Sequence, residues 1–141
     1  MTNRHMHEII LHRRRPVTLP PEATVQEASR EMRNHRIGAV LVADAEGRLL
    51  GIFTGRDAVC RMLAECRDPA RTTLAEVMTK RPEVIGPQVT AIEALRLMRD
   101  CGCRHLPVVE GERLLGIVSR GDFEGLEQAR LDEETGLWER L

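Results

Sequence analysis

Gly51-Ile52-Phe53-Thr54-Gly55-Arg56-Asp57 and Gly116-Ile117-Val118-Ser119-Arg120-Gly121-Asp122 are one phrase written twice. Each reads glycine, two apolar residues, a hydroxyl, two spacers and an aspartate. Each closes an apolar run and opens a stretch with helical character. The phrase therefore puts a hydroxyl and a carboxylate at the mouth of a strand-to-helix turn. Free backbone N–H groups at a helix start favour anions, and a carboxylate beside them can accept hydrogen bonds from a sugar diol. The pattern points to a nucleotide. The same four side chains, Thr54, Asp57, Ser119 and Asp122, also read as plain helix caps, and at this level both readings stand.

Working outward, the duplication extends through most of the chain. Arg15-Pro16 aligns with Arg81-Pro82, and at the same offset Thr24 falls on Thr90, Glu27 on Glu93, Ala28 on Ala94 and Met32 on Met98. Two tandem units of roughly 60 residues result, too few for a solenoid. Each unit reads alike. A short extended piece (Val17 to Leu19; Glu83 to Ile85) is broken by Pro20-Pro21 or Gly86-Pro87. A helix follows, capped at Thr24 or Thr90 with a glutamate three residues on, a capping-box spacing. Two strands come next, Ile37 to Ala43 and Leu49 to Phe53 in the first unit, Arg104 to Val109 and Leu114 to Val118 in the second. A second helix follows the phrase, with Ala58, Val59, Met62 and Leu63 as its expected apolar face in the first unit. Thr73 caps a short helix, Leu74 to Met78, that leads into the second unit. The fold class is mixed, α+β or α/β: two βαββα repeats packed about a pseudo-twofold axis, with clefts where the two strand-to-helix turns meet.

Composition narrows the function. The 141 residues carry 21 basic and 22 acidic side chains, so no broad nucleic-acid surface is expected. Aromatic residues make up 2% of the chain (Phe53, Phe123, Trp138), which makes the core aliphatic and leaves little for stacking bases. No apolar run approaches the ~18 residues of a membrane span. The start, Met1 to His7, is polar and does not read as a signal peptide, and with four cysteines a reducing cytoplasm is the expected location. No nucleophile–base pair or phosphate loop of known spacing suggests an enzyme.

Four motifs together resemble the tandem cystathionine-β-synthase (CBS) domain pair, or Bateman module: the two phrases, Val77-Met78-Thr79-Lys80-Arg81-Pro82, and Arg104-His105-Leu106-Pro107-Val108-Val109. With the repeat they cover roughly Val17 to Leu126, and the duplication in order makes the likeness specific. The resemblance implies a non-catalytic regulatory module that binds an adenine nucleoside or nucleotide (AMP, ATP or S-adenosylmethionine) and forms a homodimer. Carried over by position, one ligand site joins Thr79, Val84, His105, Leu106 and Pro107 to Thr54, Arg56 and Asp57. Asp57 would take the ribose diol, Thr54 and Arg56 the phosphate, and the edges around Val84 and Leu106 the adenine. A second, altered site joins Arg13, Gly38, Ala39 and Val40 to Ser119, Arg120 and Asp122. There the sequence reads Leu11-His12-Arg13-Arg14-Arg15-Pro16, with arginine where the family has threonine. Either that cleft is changed or empty, or the arginines recruit a more highly charged phosphate. The Thr79 site is the one expected to bind.

The expected organisation is an N-terminal extension over 1–14, repeats over 15–69 and 70–126, and a helical tail over 127–141 in which Leu137, Trp138 and Leu141 pack on the module or on a second subunit. Met6, Ile9, Ile10 and Leu11 are expected to do the same. Cys101-Gly102-Cys103 and Cys60 with Cys66 match no common zinc spacing, even with His35 or His105, so no metal site and four partly buried free thiols are expected. Gly102 reads as the C-cap of the helix before it. No cofactor beyond the regulatory nucleotide is expected. The competing reading is a ligand-free structural or interaction module acting through its dimer surface and its tail.

Overall fold

The computed structural model describes residues 3–11, 13 and 15–123. The tail around Trp138 and the helix expected after Asp122 lie outside them. The elements run α1 (Met6–Ile10), β1 (Thr18–Leu19), α2 (Val25–His35), β2 (Ala39–Ala43), β3 (Leu49–Thr54), α3 (Gly55–Asp57) continuing as a π-helical segment (Ala58–Leu63), α4 (Leu74–Val77), β4 (Thr79–Lys80), α5 (Ala91–Cys101), β5 (His105–Glu110), β6 (Arg113–Ser119) and a 3₁₀ turn (Arg120–Asp122).

Local chemistry sets the ends of the two long helices. Thr24 accepts the Glu27 N–H at 3.1 Å, and the Glu27 carboxylate accepts the Thr24 N–H at 3.3 Å. Thr90 and Glu93 repeat that capping box at 3.3 and 3.1 Å. At the far ends Arg36 (φ 54°) and Gly102 (φ 68°) are left-handed. The next residue's N–H still reaches back into the helix, Ile37 to the Met32 carbonyl and Cys103 to the Met98 carbonyl. That is why β2 starts at Ala39 and not at Ile37: the Ile37 amide is spent on closing α2.

Contacts divide the chain into two compact units. Among the described residues, one comprises 15–82 with 112–114; the other comprises those before 14 together with 83–111 and 115–123. In the first, β1 runs parallel to β2, and β2, β3 and β4 are antiparallel neighbours in the order β1-β2-β3-β4. Its core gathers Val25, Ala28, Val40, Val42, Met62, Leu74 and Val77 around Phe53. In the second, β5 and β6 form a two-stranded sheet. The extended piece expected over Glu83 to Ile85 shrinks there to one parallel bridge, Ile85 to Val108. This core packs Met6, Ile9, Leu95, Met98, Leu106 and Val118.

Each unit borrows its neighbour's lead-in segment. Helix α4 precedes the second repeat in the chain, yet Leu74, Val77 and Met78 are buried with Phe53. Helix α1 precedes the first repeat, yet Met6 and Ile9 are buried with Leu106 and Val118. The backbone bonds match one for one. Leu74 N–H donates to the Ala23 carbonyl and Met6 N–H to that of Val89, while Val25 N–H donates to Thr72 and Ala91 N–H to Arg4. The apolar side chains Met6, Ile9 and Ile10 thus pack as expected, whereas Leu11 is exposed.

The glycine that opens each phrase follows from this exchange. A Cβ on Gly51 would lie 2.6 Å from Met78 Sδ and 2.8 Å from the Thr79 carbonyl oxygen, because β4 pairs with β3 there, with Lys80 opposite Gly51. A Cβ on Gly116 would meet the Ile10 side chain at 3.2 Å. In both repeats the missing side chain admits the borrowed segment.

The second helix of the first repeat corrects the sequence pattern. Met62 is buried and Ala58 is packed against the core, but Val59 is 55% exposed and Leu63 74%. The cause is helical pitch. Ala64 N–H donates to the Val59 carbonyl and Arg67 N–H to that of Met62, each five residues back. The wider turn rotates Val59 and Leu63 off the face that an α-helical period assigns them.

Candidate functional site

Strand β3 delivers Thr54 in an extended conformation (φ −116°, ψ 167°) at the start of α3. The Thr54 hydroxyl accepts the Asp57 N–H at 3.2 Å, and Asp57 Oδ2 accepts both the Thr54 N–H at 3.0 Å and its O–H at 3.2 Å. The capping reading of the phrase is therefore realised. It consumes one carboxylate oxygen and leaves the other, Oδ1, facing Arg61 Nε at 3.5 Å. Asp57 is 8% exposed, one of two buried polar residues among those described.

Arg61 is a site neighbour that the sequence pattern did not reveal. Its guanidinium donates to the carbonyls of Val77 (3.0 Å) and Met78 (2.9 Å) while facing Asp57. It thus ties the phrase to the segment that carries Thr79, which is half-buried and paired with Ile52 across β3 and β4. Its spacing of four from Asp57 fits an ion pair, but the carbonyls it holds are distant in sequence, so no local pattern discloses them. Arg56 is exposed on the same turn. Gly38 and Ala39 belong here too: the Gly38 carbonyl accepts the Gly55 N–H at 3.1 Å, and Ala39 lies opposite Thr54. Val40 is fully buried in the core beneath them.

The second phrase forms the same box with a different outcome. Asp122 Oδ2 accepts the Ser119 N–H at 2.6 Å and its hydroxyl at 3.2 Å. Asp122 Oδ1 is 2.7 Å from the Arg13 guanidinium, and Arg4 donates to the Asp122 backbone carbonyl at 3.1 Å. Burial alone would raise the Asp122 pKa, but the Arg13 hydrogen bond and charge and the two Ser119 donors outweigh it and hold the carboxyl below its usual range. Both oxygens of this aspartate are occupied from within its own unit.

Arg120 N–H donates to the Arg104 carbonyl at 3.0 Å, the counterpart of the Gly55 to Gly38 bond. His105 therefore stands where Ala39 stands in the first unit. Half-buried, it is held below its ordinary pKa by desolvation first, with the charge of Asp122 opposing and that of Arg104 assisting. The Leu106 side chain is fully buried in the core of its unit, which leaves its backbone as the part that can meet a ligand. Pro107 is buried, and its carbonyl accepts the Ile85 N–H; Val84 is 39% exposed. The structure thus gathers Thr54, Arg56, Asp57 and Thr79 with Gly38, Ala39 and Val40 in one unit. It gathers Arg13, Ser119, Arg120 and Asp122 with Val84, His105, Leu106 and Pro107 in the other.

The cysteines also differ from expectation. Cys101 and Cys103 are joined by a disulfide, and Cys60 and Cys66 are free and exposed, not partly buried. Among the described residues no cluster of three His, Cys, Asp or Glu side chains is gathered to hold a metal ion, and no helix is long and apolar enough to cross a membrane.

The family model for the CBS domain matches residues 7–63 and 74–124. The chain is 37% identical over 106 residues to the CBS domain-containing protein YhcV of Bacillus subtilis, covering 75% of this chain and 74% of that protein. It is 33% identical over 102 residues to the CBS domain-containing protein CBSCBSPB1 of Arabidopsis thaliana, covering 72% of this chain but 19% of the plant protein. The chain thus spans about a fifth of the longer plant relatives it matches. The crystal structure of the CBS-domain containing protein ATU1752 from Agrobacterium tumefaciens superposes with a TM-score of 0.80 at 33% identity, over 92% of this chain and 95% of that one.

Proposed function

This chain belongs to the CBS domain family and carries a pair of CBS domains, a regulatory module; on that premise we propose that it binds one adenine nucleoside or nucleotide through the Asp57 phrase. One difference between two otherwise matched carboxylates supports the choice. Both spend Oδ2 on capping, but Asp122 Oδ1 is taken by Arg13 at 2.7 Å while Asp57 Oδ1 faces Arg61 at 3.5 Å. A ribose diol donates two hydroxyls to a carboxylate oxygen with spare acceptor capacity. At Asp57 it would meet such an oxygen; at Asp122 it would first have to displace a charge-assisted bond. In this reading Thr79, Thr54 and Arg56, which lie in the same unit as Asp57, complete the polar contacts. The protein acts without catalysis, in the cytoplasm, by changing the state of a partner when the nucleotide binds.

Isothermal titration with AMP, ADP, ATP and S-adenosylmethionine tests this. One of them should bind to the wild type and to Asp122→Ala, with loss of at least tenfold in affinity for Asp57→Ala. Absence of heat with all four ligands would defeat the proposal.

A ligand-free interaction module is favoured by a separate observation. Val59 and Leu63 stand exposed side by side on the π-helical turn, which is apolar surface suited to a second copy of the chain. Homodimerisation through that turn is compatible with either reading. A monomeric Val59→Glu, Leu63→Glu variant that still binds nucleotide would separate the two.

A further inference from the structure

We propose that Cys101-Gly102-Cys103 is a reversible thiol–disulfide site, opened and closed by exchange with low-molecular-weight thiols and disulfides of the glutathione class. The proposal is independent of nucleotide binding. The structure joins the two sulfurs and sets their Cα atoms 5.3 Å apart, within the span that a disulfide bridges without backbone movement.

Three features argue against a structural staple. The bridge encloses one residue, so it removes far less freedom from the unfolded chain than a long loop would. The backbone it spans is already fastened. Gly102 is left-handed (φ 68°, ψ 21°), its N–H donates to the Arg99 carbonyl at 3.3 Å, and the Cys103 N–H donates to that of Met98 at 3.1 Å. Opening the bridge therefore leaves the end of α5 intact. Finally, the two cysteines differ in exposure. Cys101 lies exposed on the last turn of α5, while Cys103 is half-buried against the core of its unit.

That asymmetry assigns the roles in exchange. An external thiolate attacks Sγ of Cys101, the more exposed residue; the Cys101–Cys103 bond breaks, and Cys103 leaves as a thiolate and takes up a proton. A second external thiolate attacks the mixed disulfide, releasing Cys101, which is protonated in turn, and the external disulfide. Two external thiols are oxidised as the bridge is reduced by two electrons and two protons; the reverse sequence closes it. Cys103 stands two residues before His105, the first residue of β5.

The test uses the full chain with Cys60→Ser and Cys66→Ser, which removes the two free exposed thiols. The protein is equilibrated without denaturant in buffers of stepped reduced-to-oxidised glutathione ratio, quenched in acid, alkylated and weighed by mass spectrometry. One two-electron transition between dithiol and disulfide is expected, identical from both directions, with an unchanged far-ultraviolet circular dichroism spectrum. Adding Cys101→Ser should abolish the transition and keep the spectrum. Two alkylated thiols at every ratio, stable glutathione adducts in place of the bridge, or a bridge that opens only in urea would each overturn the proposal.

Discussion

Replacing Gly51 by alanine tests whether the phrase owes its glycine to the segment that crosses it. The new Cβ would sit 2.6 Å from Met78 Sδ and 2.8 Å from the Thr79 carbonyl oxygen, whereas ordinary contact begins at 3.4 Å. The methionine is flexible and can turn away. The carbonyl is backbone in a strand of two residues, Thr79–Lys80, and must retreat by roughly 0.6 Å to reach ordinary contact. Overpacking of this kind costs about 1–3 kcal/mol, and alanine recovers about 0.5 kcal/mol of the backbone entropy that glycine loses on folding. The net is a destabilisation of about 1.5 kcal/mol, or about 5 °C in Tm at an unfolding entropy of about 2.1 cal/mol/K per residue over 141 residues. Gly116→Ala is the internal control. Its Cβ would have its nearest contacts with the side chain of Ile10, at 3.2 Å, which can give by about 0.2 Å, so the net should fall near zero. Urea unfolding of both variants beside the wild type reads the difference. Equal midpoints for the two variants would refute the account of how closely the chain at Met78 and Thr79 approaches Gly51.

The remaining predictions probe the caps, the borrowed helix and the second phrase. Thr54→Val deletes the oxygen that accepts the Asp57 N–H and should cost about 1–2 kcal/mol in urea unfolding. Met6→Ala empties a fully buried position in the second unit's core and should cost about 2–5 kcal/mol; hydrogen exchange should quicken at β5 and β6, and unchanged exchange there would show that α1 is not part of that core. Asp122 is held below its ordinary pKa of 3.8, so its contribution is fully present above 3.8 and is lost as pH falls through its folded value. Unfolding measured between neutral and strongly acidic pH should show that loss, and Arg13→Gln should shrink it.

Much of the fold is legible because its signals are local. The capping boxes at Thr24, Thr90 and Thr54 lie within four residues, and each forms as spaced. Gly102 is left-handed as its position after α5 demands. What was not legible depends on partners distant in sequence. Nothing near Met6 says that it belongs with Leu106, a hundred residues away. The break in equivalence between the phrases was visible as arginines in place of threonine, but not its form, Arg13 closed onto Asp122. Arg61 was hidden because carbonyls have no sequence signature. Val59 and Leu63 stand off the core because the backbone widens to a π turn, which a period of 3.6 does not describe. Leu106 opens a run of three buried residues in β5, Leu106 to Val108, a burial that strand alternation alone does not give.

Native mass spectrometry with the preferred nucleotide in excess measures the central claim most directly. The account predicts one nucleotide per chain in the wild type, one in Asp122→Asn, and none in Asp57→Asn. Two per wild-type chain, or loss of the nucleotide from Asp122→Asn with retention in Asp57→Asn, would contradict it.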